Sequence, residues 1–181
     1  AIKYGEKMLQ GSAALDQPSD ARYINLLKNL NQYYNKAKKL NHVSLRVKTA
    51  YLLSQKHLGS DHKTTRTSRK LYYKYLVSQK AYKAALPLVL ESISIAGTTR
   101  DEDIKKLHYI KQLYSLYRLT GQLEKEERTL LHFMELDKRL FESSDEDNIK
   151  VIINLANNYC HQKKIDEFNA LMKAHNLKYE C

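Results

Sequence analysis

The residues best equipped for chemistry sit in one short stretch. His57, Asp61 and His62 fall within six positions of one another, with His42 not far upstream. Imidazoles beside a carboxylate are a donor set for zinc, so a metal centre is the first chemistry to weigh. The stretch lies between two helical patterns, however, where Asp61 reads as the cap of the next helix, and no metal is expected. His108, His132, His161 and His175 are scattered over separate segments. The carboxylates at Glu124, Glu126, Glu127 and at Asp145, Glu146, Asp147 read as helix-start or solvated charges rather than acid–base pairs. Phosphate-loop, dinucleotide, zinc-protease and nucleophile-elbow motifs are all missing from the sequence. We therefore expect neither an enzyme nor a cofactor.

Binding chemistry is better represented. The run Tyr72-Tyr73-Lys74-Tyr75 interleaves aromatics with a cation, the pattern that stacks nucleic-acid bases. The net charge is +11, and it is concentrated in one block. Residues 31–90 hold 13 Lys and Arg against the single acid Asp61. Such a block attracts anions: acidic peptide, nucleic acid or anionic lipid. Cys160 and Cys181 give neither a disulfide framework nor zinc spacing, and Cys160 reads as a small buried hydrophobe.

The elements that must position these groups follow from composition and periodicity. Only five glycines and two prolines interrupt 181 residues, and Leu, Lys, Ala, Glu and Gln favour helix. No apolar run approaches the ~18 residues of a membrane span. The first residues, Ala1-Ile2-Lys3-Tyr4-Gly5-Glu6, carry no initiator Met and no signal-peptide core. We expect a fragment of a longer, cytoplasmic protein.

A repeat emerges when polar turns are taken as anchors. They fall at Lys38, Lys80, Gly121 and Lys163, at spacings of 42, 41 and 42. Eight residues before each anchor stand Leu30, Tyr72, Leu113 and Leu155; four before stand Tyr34, Leu76, Tyr117 and Tyr159. Two after stand Leu40, Tyr82, Leu123 and Ile165; nine after stand Val47, Val89, Leu130 and Met172. Four apolar columns at one period define paired helices. The first helices should open on polar caps: Ser19 or Asp20, Asp101 or Asp103, Ser144 or Asp145. Ala1–Leu9 parallels Ala50–Leu58, which leaves Gly11–Pro18 as a longer connector. Pro87 falls early in a second helix, where it costs less than in mid-helix.

The motifs carry a likeness. Tyr117, Gly121 and Leu123, with Leu58-Gly59-Ser60-Asp61-His62 and Tyr82-Lys83-Ala84-Ala85-Leu86-Pro87-Leu88, resemble the tetratricopeptide repeat (TPR). The period exceeds the usual ~34 residues and is similar to the longer variety of kinesin light chains and many bacterial regulatory proteins. Three turns depart from the pattern by placing Lys where the family has Gly. The column of small residues reads Val43, Ala85, Glu126 and Phe168. The expected fold is all-α, a right-handed TPR-like solenoid of about nine helices. Residues 1–17 would be the second helix of a preceding repeat and its connector. Residues 18–181 would hold four pairs, over about 20–59, 62–97, 101–142 and 145–177.

In stacked pairs the first helices line the concave face. Positions there without core duty are Lys28, Gln32, Asn35, Lys70, Lys74, His108, Lys111, Arg118 and Asn157. Lys28, Lys70 and Lys111 share one register and would form a ladder on helices ~10 Å apart. The resemblance implies that Lys and Asn at such positions hold peptide carboxylates. The expectation is a protein-interaction module for an acidic peptide. A ligand-sensing or nucleic-acid-binding regulatory domain is the alternative. The exposed terminal faces, Ala1–Leu9 and Ala170–Leu177, could pair two copies.

Overall fold

The computed structural model describes residues 1–15, 20–141 and 145–181, with the side chains of 13–15 and 145–147 left aside. The described residues form nine α-helices: α1 (Ile2–Leu15), α2 (Ala21–Lys36), α3 (Ser44–Leu58), α4 (Lys63–Ser78), α5 (Tyr82–Ser94), α6 (Arg100–Leu119), α7 (Leu123–Phe141), α8 (Asp145–Gln162) and α9 (Ile165–Ala174). One short 3-10 turn, Leu40–Val43, leads into α3. None of these helices is long and apolar enough to cross a membrane. The chain divides into two compact units, Ala1–Glu91 and Ser92–Cys181.

Each helix pair is closed by one residue in left-handed backbone. Lys38, Lys80 and Lys163 have φ of 56°, 56° and 59°, and Gly121 has φ of 71°. At each turn the amide after this residue returns to a carbonyl five positions earlier, as Ala81 does to Leu76 and Gln122 to Tyr117. This backbone satisfies the carbonyls a helix end leaves open. The expected anchors are thus one conformation, occupied by Gly once and by Lys three times.

In the N-terminal unit α1 packs on α2, α2 on α3, and the first helices α2 and α4 lie against each other. Ile24, Leu27, Leu30, Val43, Val47 and Leu71 are buried there. Gly5 allows the close approach of α1, since a Cβ at that position would stand 2.7 Å from Leu30 Cδ1. Glu6 joins three helices: it accepts from Tyr34 Oη and from Arg46 Nη1, each at 2.7 Å. In the C-terminal unit α6, α7, α8 and α9 pack in chain order around Ile110, Leu130, Phe133, Ile152, Leu155 and Met172.

The structure corrects several local expectations. Cys160 and Cys181 form a disulfide, with Cα atoms 5.4 Å apart. The chain reverses after α9 at Asn176 (φ 50°), and that reversal returns Cys181 to the end of α8. Gly11–Leu15 continue α1 rather than forming a connector; Ser12 Oγ donates back to Leu9 O. Asp20 caps α2, but α6 is capped by Thr99, whose Oγ1 accepts from Glu102 N, which leaves Asp101 and Asp103 inside the first turn. His62, not Asp61, caps α4, its Nδ1 accepting from Thr64 N. Ser19, Ser144 and the side chain of Asp145 lie outside the described residues. Pro87 is the sixth residue of α5, past the first turn, so Lys83 O lacks its usual helical donor. Ile165 is half exposed, because its column falls on the first residue of α9, at the edge of the packing.

The left-handed turns give a direct test. Gly121→Ala should cost about 1 kcal/mol, and Lys80→Gly should gain about 0.5 kcal/mol by removing the Cβ penalty. Denaturant unfolding of both variants checks the opposite signs.

Candidate functional site

On the N-terminal unit, Lys28, Gln32 and Asn35 are one stripe of α2, and Lys70 and Lys74 are one stripe of α4. The two helices pack side by side. Lys70 and Lys74 are exposed, whereas Lys28, Gln32 and Asn35 are half-buried. None of these five side chains forms a hydrogen bond or ion pair with a described residue. Lys28 faces a second ammonium, that of Lys63 at the start of α4; burial and then this neighbour hold its pKa below the ordinary lysine value. Lys63 escaped the sequence reading because its partner lies on a different helix.

The charges in this unit sort by type. It has thirteen lysines and four arginines against five acids. Asp16 lies outside the described residues, and each of the other four acids faces an arginine: Glu6–Arg46, Asp20–Arg22, Asp61–Arg66 and Glu91–Arg69. In the last pair Arg69 is buried and Glu91 half-buried. Arg69 Nε reaches Glu91 at 3.0 Å, Arg69 Nη2 donates to Ser60 O, and Gln55 and Tyr51 also donate to the carboxylate. Burial alone would raise the Glu91 carboxyl; hydrogen bonds from Tyr51 and its neighbours, with the Arg69 charge, hold it below its ordinary value. Burial, and then the bond to Glu91, push the Tyr51 hydroxyl up to about 12.

The four residues expected on the C-terminal unit are all engaged. His108 shares a 2.9 Å hydrogen bond with Gln112. Lys111 Nζ lies 5.0 Å from the Phe133 ring centroid. Arg118 donates from Nε to Glu126 Oε1 at 2.6 Å and from Nη1 to Asn154 Oδ1 at 3.0 Å. Asn157 accepts from Tyr179 Oη at 2.7 Å. Glu126, in the column of small residues, is fully buried and completed by Asn158 Nδ2 at 3.0 Å. Arg118, Glu126, Asn157, Asn158 and His161 line an open cleft of about 450 Å³. Here the expected donors serve helix packing first. The His57–Asp61–His62 stretch is likewise structural, since His62 is a cap and Asp61 pairs with Arg66. The described residues contain no group of three or more His, Cys, Asp or Glu able to hold a metal ion.

The tyrosine-rich run also resolves. Tyr72 stacks on Tyr51 with centroids 5.8 Å apart, and Tyr72 and Tyr75 pack against the cluster of Leu40, Val43, Val47 and Leu71.

Paired helices, a common left-handed turn and side-by-side first helices now invite comparison with solved folds. The chain matches the crystal structure of a putative kinesin light chain from Podosopora anserina with nearly identical TPR-like repeats, at a TM-score of 0.73. The match covers 97% of this chain and 83% of that one, at 16% identity. The fold is a TPR-like repeat array. A single-residue variant of the same protein matches at a TM-score of 0.71, again at 16% identity, over 97% of this chain and 83% of that one. No family model matches the sequence, and no curated protein does.

The Arg69–Glu91 pair in this array makes a clear prediction. Glu91→Gln strands Arg69 and should cost about 3 kcal/mol. Because the folded carboxyl sits below its unfolded value, its contribution is present above the ordinary glutamate range and fades as pH falls through the lowered value. Denaturant unfolding from neutral to acid pH should show this component in the parent and not in Glu91→Gln.

Proposed function

We propose that this array is a protein-interaction module, a scaffold or regulatory domain, whose first-helix faces take an acidic or carboxylate-bearing peptide segment. The observation that carries the reading is Lys28, half-buried against Lys63 with no acid among the described residues paired to either ammonium. Desolvating a cation beside a like charge is unfavourable for the free protein. A carboxylate placed between them would reverse the sign of that interaction. Lys70 and Lys74 extend the cationic stripe along α4, and Gln32 and Asn35 add amide donors and acceptors for a peptide backbone. On the C-terminal unit, Lys111, Arg118, His108 and Asn157 would contribute only by sharing or exchanging the partners they already have. The site needs no cofactor and performs no reaction.

The reading predicts opposite changes in two measurements. Lys28→Met removes a desolvated charge, so it should raise the melting temperature. The same change should weaken binding of a fluorescent Glu/Asp-rich peptide by about tenfold, the loss of one charge-assisted contact. Lys70→Glu should weaken it further. Unchanged peptide affinity in both variants would remove the proposal.

A further inference from the structure

The lysines of the N-terminal unit extend well beyond the first-helix face. None of its thirteen ammoniums has an acidic, hydrogen-bonding or ring partner among the described residues, whereas all four arginines pair with acids. The C-terminal unit differs: Lys105, Lys106 and Lys164 are ion-paired, and Lys111 and Lys125 lie over aromatic rings. Five free lysines gather at the two turns of the N-terminal unit, Lys36, Lys38 and Lys39 at one and Lys80 and Lys83 at the other, and all five are exposed. Ser78 Oγ donates to Asn41 Oδ1 at 3.1 Å, which sets these turns side by side. The left-handed backbone at Lys38 and Lys80, closed by the bonds from Lys39 N to Tyr34 O and from Ala81 N to Leu76 O, sets where the lysines emerge.

We propose that this turn edge binds the phosphate backbone of double-stranded nucleic acid. Five ammoniums on two adjacent turns call for a dense array of anions, and duplex DNA carries one charge per ~1.7 Å of axis. Lysine meets phosphate as a point charge and reads no sequence. The arginines that most often read bases are tied to acids in this unit. Single strands are a poorer fit, because they need stacking rings. Tyr34 is bonded to Glu6, and Tyr72 and Tyr75 are packed, so Tyr33 is the one exposed ring on α2 and α4. A membrane is also a poorer fit. Residues 36–42 and 78–84 expose no large apolar side chain to insert, although Leu45, at the start of α3, is exposed.

Binding of a short mixed-sequence duplex is measured by fluorescence anisotropy across salt, beside vesicles of phosphatidylserine. Five phosphate contacts give a slope of about −4.5 in log K against log salt, roughly a 500-fold loss between about 50 and 200 mM. Replacing Lys36, Lys38, Lys80 and Lys83 by Gln should flatten the slope by about 3.6. Replacing Lys3, Lys7, Lys48 and Lys56 by Gln removes the same charge from other exposed positions and should change the slope by less than about 1. Circular dichroism checks that both variants fold. Equal losses in the two variants would mean diffuse attraction and overturn the assignment. It is also overturned if the duplex does not bind at low salt, or if vesicles bind more tightly than duplex. Lys28→Met should leave duplex binding intact, so failure of the peptide site and failure of this one are distinguishable.

Discussion

The left-handed turn between paired helices is the constraint on which the rest of the array depends. A helix pair can bury a common face only if the chain reverses in a fixed number of residues and leaves no carbonyl unsatisfied. Lys38, Lys80, Gly121 and Lys163 meet both conditions with the same backbone, φ between 56° and 71°. That uniformity keeps the apolar columns in register through sequence that otherwise varies freely. Val47, Val89, Leu130 and Met172, each nine residues past a turn, are all buried. The three lysines show that the register survives a residue poorly suited to this backbone, so the packing that follows outweighs the local strain.

This explains which features were legible in the sequence. Helix pairing, the anchors and the deep columns repeat four times, and repetition separates a weak local pattern from noise. Caps were less legible because several polar residues stand together at each helix start; Thr99 and His62 won over Asp101 and Asp61 through backbone placement rather than side-chain type. The ion pairs were not legible. Glu6 finds Arg46, and Arg69 finds Glu91, across separations of 40 and 22 residues, and nothing in either local sequence names the partner. The same holds for Cys160 and Cys181, which meet only because the chain reverses after α9. The candidate groove was legible as a register on the first helices. Whether each position is free or committed was not, and that divides Lys28, Lys70 and Lys74 from Arg118 and Asn157.

The two cation types have separate duties in the N-terminal unit. Arginine, with its planar fork, satisfies buried or half-buried carboxylates through several bonds at once. Arg69 and Arg46 are internal fittings of this kind, holding α4 to α5 and α3 to α1. Lysine, Lys28 apart, remains on the surface as a hydrated point charge, free of internal obligation. A surface organised in this way presents a positive field without loosening the fold when a partner neutralises it.

The covalent link at the end of the C-terminal unit changes how that unit carries load. Cys181 is bonded to Cys160 on α8, and α9 lies wholly within the closed segment between them. Tension applied at Cys181 therefore enters the array at α8 and passes α9 by. The last helix bears no force while the bond is intact. Once it is reduced, α9 becomes the first element in the line of pull, and it is also the shortest α-helix described, at ten residues.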